Sequence, residues 1–298
     1  MSLQPGVYRD IPDEEYRHWP AISQSSLKII GSQSPAAYRY HKEHPKPPSD
    51  AMLLGSAVDC LCLEPDTFDA RFEVSTGTVW PNATCEECGA SPRTPCLTKK
   101  GEPSARCHSG RRDAHVADGK ITLSGDIHWK AKAISDAVLG HRTAGMLVST
   151  TEHQVSMLWE DEETGLRCKG RLDCASPGRY LADLKTTRAG KGHPSVWGRY
   201  AHGLGYHYQA AYYSDGWRIL TGEAIPWLWA IVETEPPYHV SVLQADQGWL
   251  WAGRDAYRRA LRIYGECMET DTWPGYDPQV QIVSLPPWAE RAQEDSDE

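Results

Sequence analysis

The chain has 298 residues, with 31 Lys and Arg against 40 Asp and Glu, giving a formal net charge of −9 with histidines neutral. That balance excludes a uniformly basic nucleic-acid coat, so a polyanionic partner has to be met by a local basic patch or by metal ions held on carboxylates. Hydrophobic residues make up 40% and charged residues 24%, enough apolar material for a sizeable core.

No stretch reaches the roughly 20 apolar residues of a membrane span, and Met1 to Asp10 lack a basic segment followed by an apolar one, which predicts a cytoplasmic protein. In chain order, Ser34 and Pro35 read as the cap and first position of a helix ending near Pro45. A second helix is expected from Ser49 and Asp50 to about Leu63. On its wheel Leu53, Leu54, Ala57, Val58 and Leu61 share one face, and Met52, Gly55, Ser56, Asp59 and Cys62 the next, so Asp59 lies among small and apolar residues. Residues 75–115, rich in Gly, Pro, Ser, Thr and Cys, read as an insertion, and a helix follows from Asp126 to Leu139.

The period then changes to two. His153 to Trp159, Leu166 to Ala175 and Tyr180 to Thr186 read as consecutive strands, joined by turns at Glu160 to Gly165 and at Ser176-Pro177-Gly178. Pro194 opens a helical stretch that includes Tyr206 to Leu220, strands follow at Trp227 to Thr234 and Val240 to Leu243, and Asp246 caps a final helix to about Glu269. An acidic tail closes the sequence at 290–298.

In the strand Tyr180 to Thr186, Asp183 and Lys185 share a face because side chains alternate. A hairpin centred on Gly178 sets Asp173 opposite Asp183, an unfavourable like-charge pair unless a divalent cation lies between them. Mg²⁺ or Mn²⁺ there suits phosphodiester hydrolysis, with Lys185 orienting the water or stabilising developing charge. An Asp-x-Lys by itself also suits an exposed strand face.

The segments GVYRDIPDEEYRHWPAISQSSLKII, LLGSAVDCLCLEPDTF, LWEDEETGLRCKGRLD, LADLKTT, YHYQAAYYSDGW, and TDTWP with SLPPWAE occur in that order. Together they resemble the nuclease domain of the phage RecE, or exonuclease VIII, family of the PD-(D/E)xK superfamily. The resemblance implies an α/β fold, a mixed sheet flanked by helices, at 1–74 and 116–289. It also implies Mg²⁺-dependent exonuclease action on double-stranded DNA ends in phage recombination, a single-strand annealing partner, a homo-oligomer and residence in the bacterial host cytoplasm. By position Asp173 and Asp183 match the metal-binding aspartates, Lys185 the catalytic lysine, and Gln209 with Tyr213 the helical Gln-x-x-x-Tyr motif.

Two positions depart from the pattern. Asp59 stands where relatives have a metal-binding histidine, and Gln154, with Glu152 nearby, where they tend to have a glutamate. An oxygen ligand at Asp59 favours hard ions such as Mg²⁺. These departures motivate a second reading, a catalytically weakened nuclease fold acting as a DNA-binding recombination accessory.

Cys85, Cys88, Cys96 and His108 have the types and proximity of a structural tetrahedral Zn²⁺ site within 75–115. CEECGASPRTPC with the later HSGR resembles zinc-binding modules of actinobacterial phage proteins. His108 is favoured over Cys107 and His115 because Arg111 follows it at that module's spacing. An iron–sulfur cluster is the competing use of these thiols, although related nucleases draw such ligands from both ends of the fold and Cys267 is the one late cysteine. Lys99, Lys100, Arg106, Arg111 and Arg112 make the segment the most basic in the chain, an expected grip on DNA phosphates.

Overall fold

The computed structural model describes residues 3–75, 84–91, 94, 96–103 and 120–284. His108, Cys107, His115, Arg106, Arg111, Arg112 and the tail at 290–298 lie outside the described residues.

The first part of the chain alternates short strands with helices, where the sequence suggested helices alone: β1 (Gly6–Tyr8), α1 (Asp13–His18), β2 (Ile22–Ser23), α2 (Gln24–Ser32), α3 (Pro35–Glu43) and α4 (Asp50–Leu63). Strands of two or three residues are too short to show an alternating pattern. The helix starts are set by side-chain caps: the hydroxyls of Ser23, Ser34 and Ser49 accept the amides of Ser26, Ala37 and Met52. Helix α5 (Phe68–Arg71) leads into β3 (Phe72–Ser75), and β4 (Ile121–Ser124) leads into α6 (Gly125–Gly140) and α7 (Arg142–Ser149). The pair β3 and β4, unforeseen in the sequence, runs parallel from Phe72 opposite Ile121 to Ser75 opposite Ser124.

The remaining elements are β5 (Glu152–Glu160), β6 (Arg167–Ser176), β7 (Tyr180–Thr187), α8 (Pro194–Gly203), α9 (Tyr206–Thr221), β8 (Trp227–Glu233), β9 (Val240–Gln244) and α10 (Gln247–Thr270). The helical stretch from Pro194 is two helices because Gly205, at φ 76°, turns the chain between them. The main sheet has the order β1-β5-β6-β7-β8-β9, with β2 added alongside β6. The β7–β8 and β2–β6 pairs are parallel and the other pairs antiparallel.

Helices cover both faces of this mixed sheet. On one, Leu27 of α2, Tyr212 and Trp217 of α9 and Leu261 of α10 close over Met157, Leu172, Leu181 and Trp229. On the other, Leu54, Ala57 and Val58 of α4, Ile134 of α6 and Leu147 of α7 close over Leu184, Ala230 and Val232. Each fully buried Leu, Ile or Val contributes about 1.5–3 kcal/mol. The α9–α10 crossing is tight: a Cβ on Gly253 would fall 2.0 Å from the His207 carbonyl oxygen, so only glycine fits. Among the described residues no helix is long and apolar enough to cross a membrane.

Candidate active site

Strand β7 carries the centre of the site. Ala182 and Leu184 pack into the core under α4, so the alternating Asp183 and Lys185 turn toward α9 with Leu181. Asp183 is only 2% exposed, a placement that is costly for a carboxylate without partners. Gln209 of α9 donates from Nε2 to its Oδ1 at 2.5 Å. Its Oδ2 lies against the Lys185 ammonium in an ion pair. Burial works to lower the Lys185 pKa, but Asp183 and Asp173 outweigh it and hold the ammonium charged above its ordinary range. The same Nζ stands 5.2 Å from the Tyr206 ring centroid, a cation–π contact.

Asp173 sits where β6 changes partners. Cys168 and Lys169 pair with β2, whereas Cys174, Ala175 and Ser176 pair with Ala182, Leu181 and Tyr180 of β7, the register expected for a turn centred on Gly178. The β6–β7 ladder ends one step before Asp173 and Asp183. At that fork the Asp173 Oδ2 accepts the Leu184 amide at 3.0 Å. Strand alternation also inverts here, since Leu172 and Ala175 face the α9 side and Cys174 the α4 side. Gln154 falls opposite Asp173 in the β5–β6 register, between His153 opposite Cys174 and Val155 opposite Leu172, and its φ of 50° is a left-handed backbone inside a strand. Glu152 is engaged elsewhere, in a two-bonded ion pair with Arg9 at 3.0 Å per hydrogen bond.

Asp59 approaches from α4. One turn earlier, a Cβ on Gly55 would meet Thr186 Oγ1 at 3.5 Å, so this face of α4 abuts β7. Burial pushes the Asp59 pKa up to about 7, with Asp183 adding to the rise and Lys185 and Arg71 opposing it. Burial, then Asp183 and Asp59, likewise raise Asp173 well above the ordinary carboxylate range. The three carboxylates therefore act on one another electrostatically, although their oxygens do not all lie within 4.8 Å of each other. Three buried, mutually repelling carboxylates fit a hard divalent cation, whose ligands are oxygens.

Tyr213, one turn beyond Gln209, is acted on electrostatically by Asp183 and Asp173. It is 7% exposed and packs behind β6, where a Cβ on Gly170 would fall 2.7 Å from its ring. Lys28 and Tyr206 do border the site, and spacing gave no hint of either: Lys28 lies on α2, and Tyr206 merely opens α9.

A family model described as a PDDEXK-like domain of unknown function, DUF3799, matches residues 23–285. The chain belongs to that PDDEXK-like family. The matched span includes Asp59, Asp173, Asp183, Lys185 and Gln209. The crystal structure of a "Putative exonuclease" from Eubacterium rectale superposes on this PDDEXK-like chain with a TM-score of 0.60 and 17% identity, over 94% of this chain and 96% of that one. It shares the fold. The crystal structure of SSO0001 aligns with a TM-score of 0.27 and 17% identity over 54% of this chain and 70% of that one, too slight a likeness to bear on the fold. None of the curated proteins matches the sequence.

Away from the carboxylates, the PDDEXK-like chain brings three cysteines together. The sulfurs of Cys85, Cys88 and Cys96 all lie within 4.8 Å of one another, and Cys85 and Cys96 are buried. The Gly89 amide bonds to the Cys85 carbonyl at 2.7 Å, with Gly89 at φ 68°, which turns the chain back between the first two thiols. The Leu97 amide points at Cys88 Sγ at 3.3 Å. Soft sulfur donors in this proximity fit a zinc ion. Cys267 is not part of the group.

Proposed function

We propose that the protein is a metal-dependent exodeoxyribonuclease of the RecE type, hydrolysing phosphodiester bonds from the ends of linear double-stranded DNA and leaving single strands for phage recombination. One observation carries this reading: Asp183, held by Gln209 and Lys185, lies at the strand fork with Asp173 and the α4 residue Asp59 acting on it. Mg²⁺ or Mn²⁺ bound by Asp59, Asp173 and Asp183 would polarise the phosphate and lower the pKa of the attacking water. The chain supplies the remainder. Gln209 fixes the orientation of Asp183. Lys185, kept charged by its carboxylate neighbours, orients the water or stabilises charge developing on the phosphate.

Cys85, Cys88 and Cys96, with His108 as fourth ligand, hold a structural Zn²⁺ that stabilises a segment too small to fold alone. The same family resemblance supports a single-strand annealing partner, a homo-oligomer and the bacterial host cytoplasm as the setting. The test is a time course on linear and covalently closed duplex DNA with Mg²⁺, Mn²⁺ or EDTA. Linear DNA is expected to shorten progressively with metal, and closed circles to persist. Discrete fragments from circles would make the protein an endonuclease, and binding without cleavage in any metal would make it a recombination accessory.

A further inference from the structure

Two neighbouring strands reverse their faces at the same step. Along β6, Cys168 and Leu172 join the core on the α9 side, yet Cys174 joins the core on the α4 side and Ala175 the α9 side again. Along β5, Val155, Met157 and Trp159 share the α9 side, whereas His153 reaches the other way. Its Nε2 lies 2.5 Å from the carbonyl of Val148, an α7 residue in the α4-side core. The residues at the crease are Asp173 and Gln154, which the flanking pairs His153–Cys174 and Val155–Leu172 set opposite each other. Antiparallel partners lie about 4.5–5.5 Å apart at Cα.

Regular strand backbone keeps its faces, because side chains alternate with period two. In β5 the left-handed φ of 50° at Gln154 makes the change. That conformation is costly for a residue with a Cβ and persists only where its surroundings hold it. Past the crease, Cys174 and Ala175 face the same sides as their partners Ala182 and Leu181, so β6 can pair with β7. At the crease Asp173 turns edgewise, and its Oδ2 accepts the Leu184 amide of β7 in the place of a strand carbonyl. This sets the carboxylate at the step of the fork where Asp183 stands.

We propose that Gln154 is a positioning residue for the metal centre: its left-handed backbone carries β5 through the crease in step with β6, and this coupled reversal holds Asp173 edge-on toward Asp183. The role belongs to the backbone conformation and not to the carboxamide. It rests on the nuclease reading, in which Asp173 binds Mg²⁺, and names the residue that aims this ligand.

The test compares wild type with Q154G, Q154V and V155A. Thermal unfolding in EDTA and across Mg²⁺ concentrations gives each protein a Tm without metal and a Mg²⁺ midpoint, the concentration for half of the Tm rise. Glycine adopts a left-handed φ without strain, so Q154G should match the wild-type Tm in EDTA or exceed it by roughly 2–4 °C, and keep the wild-type midpoint. A β-branched side chain opposes that φ, so Q154V should lower the Tm and raise the midpoint roughly tenfold. V155A, which leaves a cavity at the fully buried next residue, should lower the Tm and keep the midpoint. A raised midpoint in Q154G would give the role to the carboxamide and overturn the inference, as would a wild-type midpoint in Q154V or an equal shift in V155A. Q154G carries the test if Q154V does not fold. A wild-type Tm that Mg²⁺ does not move would overturn the metal site together with this inference.

Discussion

Gln209 donates a hydrogen bond to Asp183 at 2.5 Å, tying helix α9 to the strand that carries the candidate metal ligand. The amide is a donor here, so it satisfies a buried carboxylate without adding charge. Gln209→Ala leaves that oxygen unpaired, and the expected loss is about 1–3 kcal/mol of stability. Activity should fall mainly in kcat. Gln209→Glu should fall further, because it sets a second carboxylate against Asp183. Steady-state kinetics and urea unfolding of the two variants check both statements.

Burial lifts the Asp59 pKa to about 7, which makes the metal-free fold sensitive to pH in a defined direction. The folded chain holds this proton over a range where the unfolded chain has released it, so stability contributed at acid pH is lost as pH rises through about 7. Asp59→Asn stays neutral throughout. In EDTA its Tm should exceed that of wild type at pH 8, by roughly 2–4 °C for each kcal/mol, with a narrower gap at pH 5. A gap that widens toward acid would contradict the sign. Mg²⁺ should raise the wild-type Tm more than the variant's, because the ion replaces the proton.

The cysteine trio is expected to carry one zinc per chain. Elemental analysis of protein purified without oxygen and without chelator checks this, and Cys96→Ser should lower the zinc content and the Tm together. Stoichiometric iron with a brown colour would replace zinc by an iron–sulfur cluster.

Gly253 lies where α10 crosses α9, and its substitution is a purely structural control. A Cβ there would meet the His207 carbonyl oxygen and carbon at 2.0 and 2.7 Å, contacts that only backbone movement relieves. Gly253→Ala should cost about 1–3 kcal/mol in urea unfolding, leaving zinc content unchanged.

Much of this was legible in the residues. The serine caps of α3 and α4, the alternation on β7 and the hairpin register around Gly178 follow from local chemistry, and the structure shows each. The short strands β1 and β2 were not legible, because two or three residues carry no period and their pairing to β5 and β6 is a long-range matter. The fork at Asp173 was hidden for the same reason: it exists because β2 and β7 share one edge of β6. The sequence put Asp59 on a sheltered helix face, but nothing in it said that this face meets β7. Tyr213 was singled out by its motif, but nothing in the motif said that its ring would be buried against Gly170 of β6 with Asp183 and Asp173 acting on it.

The most direct test of the central claim is the rate at which Asp183→Ala and Lys185→Ala degrade linear duplex DNA in Mg²⁺, with circular dichroism confirming that each variant is folded. Loss of degradation in both folded variants is the predicted result. Undiminished degradation by either one would contradict the assignment of this carboxylate and lysine as the catalytic centre.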